Sequence, residues 1–293
     1  MSQPRITIIG AGRMGQGLGL ALKRRGYKVV LVGRTLRDVA PPLVLHQGSR
    51  SEATEGADLV LIATPDDAIS GVAQELAAAR AISRDQVVLH LSGLLDRTAL
   101  LPLEESGAAC GSFHPVQSVV EPGTAAERLK GAYVGIEGDD RALEAAERLA
   151  NTLRMVPVRI PAEAKPAYHA GAAFVANYTV ALVGVAERLA RSAGVPAEIA
   201  GRLYLPLLAG AVANLTALGP AAALTGAVRR GDVQTIQSHL DALSPEDREL
   251  YRTVARAAVL LAREAGLNET AAEKVNLTLG NTTDQLRALH QGP

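Results

Sequence analysis

The sequence RITIIGAGRMG, residues 5–15, decides the fold of the first half of this chain. It is an apolar run that leads into the pattern G-x-G-x-x-G, and a stretch typical of a helix follows it to Arg25. A second apolar run, Tyr27 to Val32, completes a strand–helix–strand order. In this context the first glycine permits a tight turn, the second lets a pyrophosphate approach the backbone, and the third lets the helix pack on the strand. The segment therefore predicts a Rossmann-type dinucleotide-binding unit, with the helix N-terminus facing the phosphates.

The end of the second predicted strand bears on the choice of cofactor. NAD-specific domains of this type commonly place Asp or Glu there, whereas this chain has Gly33, Arg34 and Thr35, followed by Arg37. A guanidinium and a hydroxyl could bind a 2′-phosphate, and the alternative is that both arginines are solvated. The sequence favours NADP(H). The predicted cofactor-binding residues are Gly10, Gly12, Arg13, Met14, Gly15, Gly33, Arg34, Thr35, Ala63, Thr64 and Pro65.

Composition narrows the class of protein. A length of 293 residues suggests two domains. A net charge of +0 and 3% aromatic residues disfavour a nucleic-acid or anionic membrane partner. The single cysteine, Cys110, excludes an intramolecular disulfide, and the absence of ligand-like spacing predicts no metal site. Because residues 1–4 run straight into the first strand without a signal peptide, we expect a cytoplasmic protein.

Strand-like apolar runs recur up to residue 160, with helical patterns between them. The runs are 5–10, 27–32, 58–63, 86–91, 108–113, 133–136 and 155–160, and the clearest helical patterns are 66–80 and 141–153. This alternation predicts an α/β fold with a mostly parallel, doubly wound sheet. After Pro157–Pro166 only helical runs follow. We therefore predict an N-terminal Rossmann domain, residues 1–161, followed by an all-helical domain, residues 162–293.

One segment of the second domain, residues 170–186, is apolar enough to suggest a membrane span. Asn177, Tyr178 and Thr179 interrupt it, Ala and Gly dominate it, and Glu187 and Arg188 follow it. We therefore expect a helix buried on most sides in a soluble protein, not a membrane span. The long Ala- and Leu-rich helices after it are too many to bury against one sheet, which predicts a homodimer formed largely through the helical domain.

Ligands of open α/β sheets lie beyond the carboxyl ends of the strands, so the residues that follow each predicted strand are candidates. Asp66 follows the third strand, where a helix N-cap is the favoured interpretation over a substrate contact. Ser92 and Gly93 follow the fourth, and a small hydroxyl before a glycine lets a substrate carbonyl or carboxylate approach. His114 follows the fifth, so its loop and the loop after His90 converge on one sheet edge. We predict that Ser92, Gly93 and His114 bind substrate, with purely structural histidines as the alternative.

A polar group of residues opens the predicted helical domain. Lys165 and His169 are four residues apart and share a helix face, Tyr168 flanks them, and Asn177 lies two turns beyond. Burying such groups without partners costs a few kcal/mol, so they face a cleft or form a structural network at the domain junction. Lysine suits a proton donor because its pKa moves readily on burial. We predict that Lys165 and His169 are catalytic and that Asn177 binds substrate.

Together these motifs resemble the 6-phosphogluconate dehydrogenase-like superfamily, which includes β-hydroxyacid dehydrogenases, ketopantoate reductases and F420-dependent NADP oxidoreductases. More closely, the whole chain resembles a bacterial family of Rossmann-like proteins whose C-terminal domain has no known function. The motifs are Gly10–Gly15, Gly33–Thr35, Ala63–Asp66, His90–Gly93, Ser112–Gln117, Lys165 with Tyr168 and His169, Asn177, Leu224–Gly226 and Arg230–Asp232. The chain has His169 where β-hydroxyacid dehydrogenases typically have asparagine, and Ala227 where the closer family is expected to have proline.

The resemblance implies an NADPH-dependent oxidoreductase that acts on a small carbonyl compound, with a ketopantoate-like 2-oxo acid as the first candidate. Lys165 would give a proton to the developing alkoxide, and His169 would orient Lys165 or share the proton. The resemblance also implies an all-helical C-terminal domain of the 6-phosphogluconate dehydrogenase type. Two alternatives stay open: an imine reductase of the pyrroline-carboxylate reductase type, and a non-catalytic NADP-sensing or scaffold protein.

Overall fold

The computed structural model describes residues 4–33 and 38–280. Seven strands form one sheet in the order β2-β1-β3-β4-β5-β6-β7. The strands are β1 (Arg5–Ile9), β2 (Lys28–Val32), β3 (Leu59–Ile62), β4 (Val87–His90), β5 (Ala109–Pro115), β6 (Tyr133–Gly138) and β7 (Val156–Arg159). Strands β1 to β5 are mutually parallel, β6 pairs antiparallel with β5, and β7 pairs parallel with β6. The prediction of a mostly parallel sheet is confirmed, and all seven predicted strands are present.

Alternate residues of each inner strand pack into two separate cores, one on each face of the sheet. On β3, Leu59 and Leu61 belong to one core, and Val60 and Ile62 to the other. Successive side chains of a strand point to opposite faces of the sheet. Because both faces are covered, side chains on both must be apolar, so the strand sequences are continuous apolar runs. The covering helices are α1 (Arg13–Lys23), α2 (Arg50–Thr54), α3 (Asp66–Ala78), α4 (Ala125–Leu129) and α5 (Asp140–Leu153), with a 3₁₀ segment at Arg97–Ser106.

The described residues after β7 contain helices and no strand, as predicted. The helices are α6 (Lys165–Ala173), a π-helical segment (Phe174–Tyr178), α7 (Thr179–Ser192), α8 (Ala197–Leu203), α9 (Leu205–Ala223), α10 (Gly226–Arg230), α11 (Val233–Ala242), α12 (Pro245–Glu264) and α13 (Glu269–Thr278). A third core, centred on Ile236, Val259 and Val275, belongs to the last of these helices. The predicted fold class, a doubly wound α/β domain followed by an all-helical region, is confirmed.

Contacts within the chain divide it into two compact units, Met1–Tyr178 and Thr179–Pro293. The last strand ends at Arg159, two residues before the predicted boundary. Helix α6 groups with the sheet because Lys165 and Tyr168 hydrogen-bond to residues of β5. A functional division at residue 161 therefore stays a prediction, and every residue of α6 belongs to the same unit as the sheet.

The expectation of a largely buried helix at residues 170–186 is wrong for the chain by itself, since none of these residues is buried. Val175 is 77% exposed and Val180 is 72% exposed. Apolar residues occur all round this segment instead of forming one stripe, so a single packed neighbour cannot cover them. Two helical stretches, Ala162–Ser192 and Ala197–Ala223, are long and apolar enough to cross a membrane by length and composition only.

Candidate active site

The glycine-rich turn between β1 and α1 has the geometry that its sequence predicts. Gly10 has φ +123°, and a Cβ on it would lie 2.5 Å from the carbonyl oxygen of Ala63. A Cβ on Gly15 would lie 2.0 Å from the carbonyl oxygen of Gly10. A Cβ on Gly12 would meet nothing within 4 Å. Gly10 and Gly15 are thus needed by the turn itself, whereas Gly12 leaves open space in front of the helix.

A crevice of about 410 Å³ lies beyond this turn. Its lining includes the predicted cofactor residues Gly10, Gly12, Gly33, Ala63, Thr64 and Pro65. Arg34 and Thr35 lie outside the described residues. Arg13 is exposed and Met14 half-buried, and both belong to the first turn of α1 and not to the lining.

Several polar groups at this crevice lack partners in the described part of the chain. Helix α1 begins without a side-chain cap, so the N–H groups of Arg13 and Met14 have no hydrogen-bond acceptor there. The hydroxyl of Thr64 is buried and has no partner among the described residues. A phosphate at the helix N-terminus would satisfy such groups, so the crevice fits the pyrophosphate of a dinucleotide.

One further residue of the crevice was missed from the sequence. Arg50, the first residue of α2, lines it and forms an ion pair with Glu75 of α3. Nothing in the local sequence distinguishes Arg50 from the many surface arginines, since its position depends on the packing of α2 against β2 and α3.

Lys165 is the most unusual side chain near the carboxyl ends of the parallel strands. It is only 1% exposed. Its Nζ donates to Ser112 Oγ at 2.8 Å and to the Ser92 carbonyl oxygen at 3.3 Å. Burial lowers the pKa of Lys165, while the carboxylates of Glu137, Asp96 and Asp66 act in the opposite direction. Because an ammonium has three N–H donors, one of them has no acceptor within the described residues.

The loop after β4 is held by the side chain of Ser92. Ser92 Oγ donates to Asp66 Oδ2 at 2.8 Å and accepts from the backbone N–H groups of Leu94 and Leu95. The Ser92 carbonyl accepts from Lys165, and the hydroxyl predicted to bind substrate already has partners in Asp66 of α3 and in its own loop. The expected N-cap role of Asp66 is wrong, because Pro65 occupies that position and Asp66 is the first helical residue.

His90 anchors the same loop from inside the sheet. It is fully buried, its Nδ1 accepts from the Ser92 N–H at 3.3 Å, and its Nε2 lies 2.9 Å from the Asp96 carbonyl oxygen. These two partners require a proton on Nε2. Burial is the main cause that lowers the pKa of His90 to about 4. His90 is therefore neutral near pH 7, and both of its ring nitrogens have partners between His90 and Asp96.

His114 and His169 face each other above Gly93. Their ring centroids are 5.5 Å apart. A Cβ on Gly93 would lie 2.5 Å from His169 Nδ1 and 2.7 Å from His114 Cε1. The glycine therefore provides the room that both imidazoles occupy. Nδ1 of His169 is buried and has no partner in the described ranges, so it is available to a ligand.

The hydroxyl of Tyr168 is the hydrogen-bond partner of His114 Nδ1. The phenol oxygen and His114 Nδ1 are 2.8 Å apart. Burial raises the pKa of Tyr168, and burial is the first cause that lowers the pKa of His114 to about 4, so both groups are neutral. If the phenol donates to Nδ1, its own proton is satisfied, and His114 Nε2 carries a hydrogen. The arrangement favours His114 as a hydrogen-bond donor to a ligand.

The structure does not bring every predicted residue to this group. Asn177 is exposed within the π-helical segment, and no described hydrogen bond joins it to Lys165, His114 or His169. Ser112 and Glu137 join the group although the sequence did not single them out as site residues. Glu137 could have been noticed as a charged residue directly after the apolar run 133–136.

These features define a Rossmann-type dinucleotide-binding domain with a buried lysine and two imidazoles at the carboxyl ends of its central strands. Residues 1–115 match the family of Rossmann-like domains, and residues 132–258 match a family described as a domain of unknown function, DUF2520. The chain thus carries a Rossmann-like domain followed by a DUF2520 domain, and the predicted resemblance is confirmed in both parts.

Known proteins resemble the chain in sequence and in fold. A glycerol-3-phosphate dehydrogenase [NAD(P)+] of Rhizobium etli is 30% identical over 166 residues, which are 51% of this chain and 50% of the relative. The chain thus spans about half the length of the curated relatives it matches. A Bacteroides fragilis structure, provisionally named an NADP oxidoreductase, has a TM-score of 0.67 and 21% identity over 90% of this chain and 98% of its own. The pyrroline carboxylate reductase of Plasmodium falciparum, with NADP bound, has a TM-score of 0.59 and 14% identity. The match covers 96% of this chain and 100% of the reductase chain.

Proposed function

We propose that this chain is an NADP(H)-dependent oxidoreductase that reduces a small carbonyl compound, with a 2-oxo acid as the first candidate. The observation that carries the proposal is the buried Lys165, whose third N–H has no described partner. A short path of contacts connects it to the crevice. Pro65 lines the crevice, the next residue Asp66 accepts from Ser92, and the Ser92 carbonyl accepts from Lys165.

A nicotinamide dinucleotide, when bound, supplies the hydride of such a reduction. The chain supplies the proton and the polar contacts. Lys165 loses the proton of its free N–H to the substrate oxygen as negative charge develops there. His114 Nε2–H donates a hydrogen bond that orients the same substrate. His169, whose Nδ1 has no described partner, orients Lys165 or shares its proton. Ser92 acts through its carbonyl, which orients Lys165, and Gly93 keeps the space above it open.

The choice of NADP(H) is supported by two kinds of observation. Gly33-Arg34-Thr35 places a guanidinium and a hydroxyl after β2, with no carboxylate among them. The names of the relatives contain NAD(P)+ or NADP. The crevice itself offers open backbone at Gly12 and unpaired N–H groups at α1, which would bind the part that NAD and NADP share.

Cofactor titration should separate these two contributions. Wild-type protein is expected to bind NADPH more tightly than NADH, and Arg34→Ala should weaken NADPH binding by about 1.5–3 kcal/mol with little effect on NADH. Gly12→Ala should weaken both cofactors, because its methyl group would occupy open space at the helix N-terminus. Fluorescence titration and thermal unfolding of the three proteins measure this.

The control for Gly12→Ala is Gly71→Ala in α3, where a Cβ also meets nothing within 4 Å and which does not line the crevice. Both variants should unfold near the wild-type temperature, and only the first should lose cofactor affinity. Equal affinity of the wild type for NADPH and NADH would refute the assignment of NADP.

Two alternative functions remain as proposals, one with another substrate and one without catalysis. The similarity in fold to a pyrroline carboxylate reductase favours reduction of a cyclic imine as the second candidate. A non-catalytic NADP sensor or scaffold would need no proton donor at the site. A screen of NADPH oxidation against 2-oxo acids and cyclic imines decides among them. If the protein binds NADPH but reduces neither 2-oxo acids nor cyclic imines, the result would favour the non-catalytic NADP sensor or scaffold.

We also propose that the protein is a cytoplasmic homodimer formed through its helices. Val180 is 72% exposed within an apolar helical stretch, and a large exposed apolar surface is typical of an interface. Val180→Glu should convert the dimer to a monomer in sedimentation equilibrium at micromolar concentration. Val44→Glu, at a residue 76% exposed outside the helices, should leave the dimer intact. A wild-type monomer, or partition of the wild type into lipid vesicles, would contradict the proposal.

A further inference from the structure

We propose that Glu137 holds Lys165 in its ammonium form through the hydroxyl of Ser112, and that Glu137 is therefore a positioning residue for the proton donor. The role in catalysis rests on the proposed function, whereas the effect on the charge of Lys165 does not. Neither Glu137 nor Ser112 would touch the substrate.

Strand register brings Ser112 and Glu137 together, and a hydrogen bond joins Lys165 to Ser112. Ser112 on β5 is paired with His90 on β4 and with Glu137 on β6. Ser112 Oγ accepts from Lys165 Nζ at 2.8 Å and lies 3.4 Å from Glu137 Oε2. Because the hydroxyl accepts from an ammonium, its own hydrogen is free to point at the carboxylate. Lys165, Ser112 and Glu137 thus form a directed chain of hydrogen bonds.

Glu137 itself is fixed in this position. It is only 9% exposed, and its Oε2 also accepts from the backbone N–H of Arg97 at 2.9 Å. Burial raises the pKa of Glu137, while Lys165 acts in the opposite direction. No direct ion pair joins the two within the described residues, so the hydroxyl is the connecting element.

Other charged or titratable groups face Lys165 from each neighbouring element. Asp66 lies on α3, Asp96 in the loop after β4, His90 on β4, His114 on β5 and His169 on α6. The pKa of His90 and that of His114 are about 4, so these rings carry no charge near pH 7.

The two aspartates are less suited than Glu137 to fix the charge of Lys165. Asp66 is exposed and accepts from Ser92, and Asp96 accepts from the N–H and hydroxyl of Thr98 at the protein surface. Solvent screens exposed charges more than buried ones. Glu137 is the buried carboxylate of the group, so its charge acts on Lys165 with the least screening.

The direct test is the titration of Lys165 by NMR of protein labelled at the lysine ε-carbon. The chain has only Lys23, Lys28, Lys130, Lys165 and Lys274, so the buried lysine can be assigned by its loss in Lys165→Arg. Glu137→Gln should move the titration midpoint of Lys165 to lower pH by about 1 pH unit or more. Glu137→Asp keeps the charge and should restore most of the wild-type value.

Ser112→Ala removes the connecting hydroxyl. It should lower the titration midpoint of Lys165 by less than Glu137→Gln does, because the charge of Glu137 remains. Glu147→Gln is the matched control, since Glu147 pairs with Arg159 at the surface and should leave Lys165 unchanged. An unchanged midpoint in both Glu137→Gln and Ser112→Ala would overturn the proposal, whether or not a substrate is known. If Glu137→Gln does not fold, the titration midpoints of Lys165 in Ser112→Ala and in Glu137→Asp still test the proposal.

Activity provides the second readout. Reduction needs protonated Lys165, so turnover should fall as pH rises through its pKa, and Glu137→Gln should shift that decline to lower pH by the same amount as the NMR midpoint. A shift in the NMR titration without a matching shift in turnover would leave the charge effect standing and would refute Lys165 as the proton donor.

Discussion

Lys165→Met should lower the turnover of reduction by about 10²–10⁴-fold, which is the usual contribution of a positioned general acid. The side chain of Met fills a similar volume but has no proton to give. NADPH affinity should change little, because the crevice at Gly10, Gly12 and Thr64 does not include Lys165. Steady-state kinetics on an identified substrate, together with NADPH titration, measure both quantities. Lys165→Met should also leave Glu137 without its nearby cation, so thermal unfolding must be measured at the same time.

Lys130→Met is the control for this substitution, since Lys130 is exposed at the end of α4 and should retain wild-type turnover. His169→Ala should reduce turnover by less than Lys165→Met, because it removes an orienting group and leaves the proton donor in place. Near-wild-type turnover of Lys165→Met would show that Lys165 is structural.

Gly93→Ala should reduce turnover by about 10²-fold, because misplacing reacting groups by about 1 Å has effects of this size. The added methyl group would lie 2.5 Å from His169 Nδ1 and 2.8 Å from His114 Nε2. Both imidazoles must move, and the hydrogen bond between His114 and Tyr168 must stretch or break. NMR signals of the six histidine rings report this displacement even without a substrate.

Gly71→Ala controls for the loss of a glycine as such, because it adds the same methyl group on α3, with nothing within 4 Å. It should be neutral or slightly stabilising. Gly93→Ala should destabilise the fold by about 1–3 kcal/mol through overpacking, an effect distinct from the loss of turnover. Unchanged histidine signals and turnover would mean that the loop relaxes and that Gly93 has no role in shaping the site.

Local pattern predicted the features that depend on a few neighbouring residues. The inner strands were identified because a stretch such as Leu59–Ile62, buried on both faces, has to be apolar throughout. The glycine-rich turn was recognised because the backbone of the turn leaves no room for a Cβ at Gly10 or Gly15. Lys165 was singled out as a charged residue at the start of an apolar helix, and the structure places it among polar partners.

Features that depend on pairing between distant strands could not be predicted. The reversal of β6 relative to β5 decides that Glu137 stands opposite Ser112, and no local pattern encodes that register. The same holds for Asp66, whose partner Ser92 is in a separate loop. The exposure of residues 170–186 was missed because apolar composition predicts burial but does not say whether the covering surface comes from the same chain.

The division of the chain after Tyr178 assigns the proposed reactive groups to one unit and the helices after residue 178 to the other. The nucleotide crevice, Lys165, Glu137 and both imidazoles all lie in the unit that ends at Tyr178. Substitutions in residues 179–280 therefore replace none of the groups that are proposed to transfer the proton. Exchange of this segment between relatives should accordingly leave the proposed proton-transfer groups in place.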